Sequence, residues 1–313
     1  MKVGMLFPGY PNQFVGMGKE LYDNSRTIQE YFEEASNCLG TNFIKLCFAS
    51  SDAELTKVVH AYPALFLTEV AIAHMIQEVC PTLAISAIAG RGVGEFSALY
   101  TARGITLPDG LYLLNKFSRF YAEVQDNLNM RTVVIAGLTD KQLKQLCTDV
   151  EVTVYEHDRY LVSGSLEAID AFVERARELG CRRVKNVDAV EGYHMPVLQG
   201  IMDQLKVYLT KVDFYDPEIP LITGIDGKHV TTAEKAQEVL MRQIVEPLNW
   251  KSVLKQFVDC DMLLIPGPSK VLASELAQIF PNKIILGIET MADIEMLQSI
   301  VHGTEAESVV QTA

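Results

Sequence analysis

The sequence lacks the patterns that mark several common protein classes. Its six cysteines form no Cys-x-x-Cys pair, which argues against a disulfide scaffold and a zinc site and predicts reduced, buried thiols in a cytoplasmic protein. It has no Lys/Arg-rich run, and its net charge of −13 repels phosphate backbones, so nucleic acid is not an expected partner. Apolar runs such as Met262–Pro266 are too short to span a bilayer, and the N-terminus MKVGMLFPGY predicts a first strand rather than a signal peptide.

What is present is typical of a large globular protein. The 313 residues are 49% hydrophobic, and short apolar segments alternate with amphipathic ones. This alternation predicts an α/β protein built around a mostly parallel sheet. The clearest predicted elements are strands at Val3–Phe7 and Leu83–Ala89 and helices at Tyr62–Val79, Gly94–Ala102 and Pro108–Tyr121.

Residues 129–189 follow a different pattern, β-α-β-β-α-β, which is typical of a small ferredoxin-like domain. Its six predicted elements are a strand at Thr132–Gly137, a helix at Thr139–Cys147, a hairpin of Val150–Glu156 and Arg159–Ser163, a helix at Leu166–Leu179 and a strand at Arg182–Asp188. We expect this domain to be inserted into a large domain formed by residues 1–128 and 190–300. Residues 301–313 are predicted to be a poorly packed tail.

The stretch AGRGVGEFSAL has glycines at positions 90, 92 and 94, where a strand is predicted to meet a helix. This outline matches a nucleophile elbow, G-x-S-x-G, in which a strained turn presents a serine to an active site. The serine position is occupied by Gly92. Two interpretations follow: a tight turn with no site, or a turn whose backbone N–H groups still bind an anion at a helix N-terminus.

Five segments, taken in order, resemble the malonyl-CoA:acyl-carrier-protein transacylases and related polyketide acyltransferases. The segments are FPGYPNQFVGMG, AGRGVGEFSAL, VEGYHMPVL, IVEPLNW and IPGPSKVLASEL. They match that family's FPGQGSQ…GMG opening, its AGHSLGEYSAL elbow, its catalytic-histidine segment and its NPV-x-W and GPG-x-VL segments. The resemblance covers roughly residues 1–295. It implies a large α/β-hydrolase-like domain with an inserted ferredoxin-like domain and neither a metal nor a cofactor.

The resemblance also places the site. His194 aligns with the family's catalytic histidine, and Gly92 occupies the position of its nucleophilic serine. At the other site positions the family residue has changed: Tyr10 stands for the oxyanion-hole glutamine, Arg91 for the histidine before the serine, Phe117 for the carboxylate-binding arginine and Glu246 for an asparagine. We expect these four residues and Val93, which follows the turn, to line the substrate pocket. In the small domain, Glu156–Tyr160 replaces the family's N-x-N-x-P-x-Q stretch.

The roles of His194 and Arg91 remain open at this point. His194 either acts as a base toward a hydroxyl or water, or is a relic that fills the wall of the cleft. Arg91 either substitutes for the missing carboxylate-binding arginine or fills vacated space and pairs with Glu95 or Glu246. Phe117 offers a carboxylate neither charge nor hydrogen bonds, so an apolar acyl group suits that position better than malonate.

Two functions are compatible with these residues. The first is a pseudoenzyme that binds an acyl carrier protein, an acyl-CoA ligand or an active acyltransferase or synthase partner. The second is an active acyltransferase or thioester hydrolase with altered chemistry, in which His194 activates water or an acceptor thiol. The number of changed site positions favours catalytic impairment.

Overall fold

The structure is a computed structural model that describes residues 1–125, 127–187 and 194–311, with side chains as far as residue 303. The strands are β1 Val3–Phe7, β2 Ile85–Gly90, β3 Met130–Ala136, β4 Glu151–Tyr155, β5 Arg159–Ser165, β6 Arg183–Val187, β7 Leu221–Ile222, β8 His229–Val230, β9 Met262–Pro266 and β10 Ile284–Ile288. The helices are α1 Lys19–Asn24, α2 Arg26–Leu39, α3 Phe43–Ala49, α4 Asp52–Leu55, α5 Val58–Val79, α6 Gly94–Thr101, α7 Leu107–Gln125, α8 Asp140–Leu146, α9 Leu166–Glu178, α10 Gln199–Leu209, α11 Ala233–Val245, α12 Trp250–Leu254, α13 Lys270–Ile279 and α14 Met291–Gln311.

The large domain is built on a six-stranded sheet in the order β10-β9-β1-β2-β7-β8. The first five strands pair in parallel, and β8 is antiparallel to β7. Strands β1 and β9 are buried along their whole length, which is typical of parallel strands covered on both faces. The predicted, mostly parallel α/β sheet is confirmed. Because β2 and β9 both neighbour β1, the loops that follow these three strands meet at one edge.

Helix α5 is the central helix of this domain. By length and composition it could cross a membrane, but 83% of its most apolar window is buried inside the protein. It packs against α2, α6 and α7. Thr68, Glu69 and His74 interrupt its apolar residues, so helical spacing rather than one long apolar run predicts this helix.

The small domain contains a four-stranded antiparallel sheet in the order β4-β5-β3-β6. Its chain order, β3-α8-β4-β5-α9-β6, is the predicted β-α-β-β-α-β pattern. One face packs against α8 and α9. The other face packs against the large domain, where Val154 and Leu161 share a hydrophobic cluster with Leu248 and Trp250.

Three expectations differ from the structure or lie outside it. The predicted tail 301–313 is helical as far as Gln311, because α14 continues through it, and Val301 is buried. The predicted end of the last small-domain strand, Asp188, and the junction at 189–190 lie outside the described residues. All six cysteines are free thiols, but Cys38 is exposed rather than buried.

Candidate active site

The turn between β2 and α6 is sharply constrained by its flanking glycines. A Cβ on Gly90 would lie 2.0 Å from the carbonyl carbon of Gly94, and a Cβ on Gly94 would lie 2.8 Å from the carbonyl oxygen of Phe7. At the tip, Gly92 has φ 57°, in the left-handed region that favours glycine. The strand, tight turn and helix of the predicted elbow are therefore present, and both flanking glycines are required by close backbone approach.

The loop after β1 packs directly on this turn. Arg91 N–H donates to the carbonyl of Phe7 at 3.0 Å. Gly9 has φ 63°, and a Cβ there would lie 2.2 Å from the carbonyl oxygen of Arg91. Tyr10, predicted to line the pocket, follows Gly9 in the same loop. The backbones of the two loops are thus in contact beside Gly92.

Glu69 of α5 connects the loop after β1 to helix α6. Its Oε1 accepts from Gly9 N–H at 3.1 Å, and its Oε2 accepts from the Ser97 hydroxyl at 2.5 Å. Burial raises the pKa of Glu69 to about 8, although both hydrogen bonds act in the opposite direction. Ser97 lies near the turn in sequence, but its hydroxyl is engaged by this buried carboxyl group.

The N-terminus of α6 leaves one backbone donor at the turn. The N–H groups of Gly94, Glu95 and Phe96 donate to carbonyls of the turn itself. Val93 N–H has no acceptor among the residues that the structure describes. An N–H group in this position is suited to an anion or an oxyanion, as the second interpretation of the turn requires.

His194 is buried and fixed in one orientation. Its backbone N–H donates to Ile244, and its Nδ1 lies 2.6 Å from the carbonyl oxygen of Gln243. Since a carbonyl only accepts, Nδ1 carries the proton. Burial lowers the pKa of His194 to about 3, opposed by backbone hydrogen bonds and reinforced by the nearby charge of Arg91. The imidazole is therefore neutral, and it lies within electrostatic range of the residue that precedes Gly92.

Arg91 belongs to a network of four charged side chains that joins both domains. Its Nη2 pairs with Oε1 of Glu156, whose Oε2 pairs with Nε of Arg159. Glu275 of α13 closes the network, with Oε2 at 3.6 Å from Arg91 and 3.2 Å from Arg159. The Glu156 side chain is only 1% exposed. The charge of Arg91 is thus balanced by carboxylates of the protein itself.

Aromatic rings occupy the position predicted for a carboxylate-binding arginine. Phe117, 1% exposed, stacks on Tyr62 at 5.7 Å between ring centroids and also contacts Tyr121. Tyr10 meets Tyr62 edge to face at 5.4 Å. Arg119 is directed elsewhere, as its helical position predicts, and hydrogen-bonds on the exposed side of α7. This wall of the site is therefore built from aromatic rings that contact one another.

The two carboxylates expected beside Arg91 have other partners. Glu246 forms a two-point ion pair with Arg242, at 2.7 and 2.9 Å, one turn earlier on α11. Glu95 is fully buried and accepts from Thr223, and burial raises its pKa to about 8. The ion pairs that the structure describes for Arg91 are with Glu156 and Glu275, which approach from elements far away in sequence.

The described part of the chain contains no group of three or more His, Cys, Asp or Glu side chains that could hold a metal ion. His60 and His74 each lie near one glutamate, Glu54 and Glu78, on the surface of the large domain. The acidic groups near the turn are paired with arginines or with hydroxyl and backbone donors instead.

Comparison with known proteins identifies the family. The acyl transferase domain family matches residues 5–264, which is most of the chain. The chain belongs to this family. The malonyl CoA-acyl carrier protein transacylase of Bacillus subtilis strain 168 is 26% identical over 312 residues, covering 93% of this chain and 98% of the relative. That of Staphylococcus aureus strain MRSA252 is 21% identical over 304 residues, covering 94% and 97%.

Solved structures show the same fold. The malonyl CoA-acyl carrier protein transacylase of Coxiella burnetii has a TM-score of 0.90 at 23% identity, covering 96% of this acyl transferase domain and 97% of that chain. A malonyl-transacylase in complex with a type II polyketide synthase acyl-carrier protein has a TM-score of 0.89 at 24% identity, covering 96% and 99%. The predicted two-domain fold is confirmed.

Several residues that shape this acyl transferase domain's site were not found from the sequence. Tyr121 follows Phe117 by four positions on one helix face, so helical spacing could have indicated it. Glu69 interrupts an apolar helix, and because a buried acid is rare unless it is paired, its position could have indicated a site residue. Glu275 gave no signal, because only the fold brings α13 to the turn.

Proposed function

We propose that this acyl transferase domain is a catalytically impaired homologue of the malonyl-CoA:acyl-carrier-protein transacylases of fatty-acid or polyketide biosynthesis. It acts as a cytoplasmic pseudoenzyme by binding an acyl carrier protein, an acyl-CoA ligand or a partner enzyme. One observation carries the proposal: Gly92, at the tip of the strand–turn–helix, provides no atom that can be acylated. In serine hydrolases, loss of the nucleophile costs on the order of a million-fold in turnover.

Within the part of the chain that the structure describes, the serine and cysteine closest to the turn in sequence do not compensate for this loss. Ser97 is buried and donates to Glu69. Cys80 caps α5, so it precedes β2 and lies at the opposite end of that strand from the turn. Val93 N–H still offers an anion-binding donor, which supports retained binding without covalent chemistry.

The environment of His194 supports the same proposal. A general base works best when its pKa is near the operating pH, and a pKa of about 3 leaves the imidazole a weak proton acceptor. Its fixed position is compatible with a second function, an acyltransferase or thioester hydrolase in which His194 orients water or an acceptor thiol. The rigid placement of the ring by Gln243 and Ile244 is the observation that favours this alternative.

The walls of the site support an apolar acyl group over malonate. A carboxylate beside Phe117 would lose its hydration without gaining a cation, which costs several kcal/mol. Arg91 is nearby, but Glu156 and Glu275 already neutralise it. We therefore propose that any bound acyl group is uncharged.

The decisive experiment is intact-mass measurement after incubation with malonyl-CoA and, separately, acetyl-CoA. We expect no mass increase, whereas the Bacillus subtilis relative, treated in parallel, provides the positive control. Thioester hydrolysis and transfer to a carrier protein are then measured for the unaltered protein and for His194→Ala. An acyl adduct, or turnover that His194→Ala abolishes, would establish the second function instead.

A further inference from the structure

A partly enclosed cavity of about 150 Å³ lies in the large domain between α3, α5 and α7. Its lining includes Pro63 of α5 and Arg119 of α7. The same two helices carry Tyr62 and Phe117 of the ring cluster beside the turn. Residues one or two positions apart on a helix point about 100° or 200° away from each other, so the cavity and the ring cluster lie on different helix faces. The cavity is therefore separate from the candidate active site.

Most of the cavity lining is apolar. Five apolar side chains contribute to it, namely Leu39, Phe43, Leu46, Val59 and Pro63. An engineered apolar cavity of about 150 Å³ is known to bind benzene, a molecule of six heavy atoms. The volume and the lining together therefore fit a small ligand whose larger part is hydrocarbon.

The rest of the lining is polar and contains a cation. It consists of Thr41, His60, Asn115 and Arg119. The Nε of Arg119 donates to Oδ1 of Asn115 at 3.0 Å, which orients the guanidinium group. Within the part of the chain that the structure describes, the terminal nitrogens of Arg119 have no acceptor and form no ion pair. Two donors with a positive charge are thus available at one end of an apolar cavity.

An acidic residue contacts this lining, but its charge is balanced elsewhere. Oε1 of Glu54 lies 3.1 Å from Nδ1 of His60. Oε2 of Glu54 lies 2.5 Å from Nζ of Lys57. Since the Lys57 ammonium group balances the Glu54 carboxylate, Arg119 still provides a net positive charge for a ligand.

We propose that this cavity is a second binding site, for a short-chain monocarboxylate. The hydrocarbon chain lies among the apolar side chains, and the carboxylate accepts two hydrogen bonds from the guanidinium of Arg119. One guanidinium balances one negative charge, whereas a dianion would leave a second charge beside apolar groups. Butyrate, with six heavy atoms, is the representative ligand. The inference does not depend on the proposed function, because none of the described residues at the turn lines the cavity.

Titration calorimetry of the full chain with butyrate tests the proposal, and we expect saturable binding with one site per chain. Acetate lacks two methylene groups of butyrate and should bind about tenfold more weakly. Butyramide has nearly the shape of butyrate without its charge, and it should also bind at least about tenfold more weakly.

The variant Arg119→Met tests the cation, because it keeps an unbranched side chain and removes the guanidinium. We expect its affinity for butyrate to fall by about tenfold or more, and the preference for butyrate over butyramide to disappear. The matched control is Lys45→Met, which removes an exposed lysine of α3 that does not line the cavity. We expect the control to change affinity by less than about twofold.

The variant Val59→Phe tests the cavity itself, because it fills the space from a half-buried position and leaves Arg119 in place. We expect no binding at butyrate concentrations that saturate the unaltered protein, with thermal unfolding as the check that the variant is folded. Unchanged affinity in Val59→Phe or Arg119→Met would place butyrate elsewhere and overturn the inference. Absence of saturable binding, equal affinity for butyramide, or equal weakening by Lys45→Met would overturn it as well. None of these results depends on whether the turn forms an acyl adduct.

Discussion

The backbone of the β2–α6 turn and the side chains around it follow different constraints. At the turn, Gly9, Gly90 and Gly94 have backbone atoms where a Cβ would lie, so no other residue fits without moving main chain. The surrounding walls consist of an ion network and an aromatic cluster, whose members contact one another through side chains. Packing can therefore keep the backbone of such a turn unchanged even when the side chains around it no longer support catalysis.

The same contrast explains why a strand–turn–helix outline alone does not identify an enzyme. The turn supplies geometry and one backbone donor, at Val93, whether or not a nucleophile is present. The side chains around the turn decide what binds, and here the ion network is neutral overall while the other group consists of aromatic rings. The following changes test each half of this comparison.

The largest loss of stability is expected from Gly90→Ala. The added Cβ would lie 2.0 Å from the backbone of Gly94, and neither strand β2 nor helix α6 can shift without disturbing the central sheet. We expect a loss of about 4 kcal/mol or more in the free energy of unfolding, measured in urea. Gly200→Ala, in a helix with no atom within 4 Å of the new Cβ, is the control and should be neutral or stabilising. A Gly90→Ala variant as stable as this control would show that the turn is not constrained by packing.

A smaller loss is expected from Glu156→Gln. Removing this buried carboxylate leaves Arg91 and Arg159 facing each other with only Glu275 between them, and breaking a buried pair costs about 3–5 kcal/mol. Because both arginines keep partial exposure to solvent, we expect the lower end of that range. Asp23→Asn, which breaks an exposed pair with Lys19, should change stability by less than about 0.5 kcal/mol. Equal effects in the two variants would mean that the network does not hold the domains together.

Stability should also depend on pH through Glu69 and Glu95. Each has a pKa near 8 when folded, well above the ordinary value of 4.5, so the folded protein retains protons that the unfolded chain releases. Stability from these groups is complete below pH 4.5 and is lost as pH rises through 8. His194, with its lowered pKa, acts oppositely below about pH 6.5, so the loss is clearest between pH 6.5 and 8.

Urea unfolding at several pH values measures this loss, with a slope on the order of 1 kcal/mol per pH unit for each carboxyl group. Glu69→Gln and Glu95→Gln should each flatten the curve in that interval. A stability that rises between pH 6.5 and 8 in the unaltered protein would contradict the assignment of both groups as protonated acids.

The sequence was sufficient for the fold, the element order of the small domain and the location of the turn. These features depend on local periodicity and on glycine positions, which are visible along the chain. The partners of Arg91 were not predictable, because Glu156 lies in a hairpin of the other domain and Glu275 on a helix about 180 positions away. The sequence predicts a tail from residue 301, where the structure continues helix α14 as far as Gln311.

The smallest effect is expected from Gly92→Ser, which tests whether a nucleophile alone restores the site. The φ of 57° at this position costs a serine about 1–3 kcal/mol, so the variant should be slightly less stable than the unaltered protein. His194, which lies within electrostatic range of Arg91, is the neutral histidine available to such a hydroxyl, but it is a weak base. We therefore expect a faint acyl adduct from acetyl-CoA by intact mass.

The acyl group that Gly92→Ser prefers also tests the side chains around the turn. With Phe117 packed against both Tyr62 and Tyr121, and Arg91 neutralised, Gly92→Ser alone should show no preference for malonyl-CoA over acetyl-CoA. Adding Phe117→Arg supplies the missing guanidinium but disrupts the ring cluster. We therefore expect the ratio of malonyl to acetyl transfer rates to rise and the free energy of unfolding to fall. The matched control is Phe117→Met, which keeps this position apolar. If Gly92→Ser by itself transferred malonyl groups selectively, Arg91 would have to leave Glu156 to bind the carboxylate. The side chains around the turn would then still support malonyl transfer, as the backbone of the turn does. The contrast between backbone and side chains would not hold.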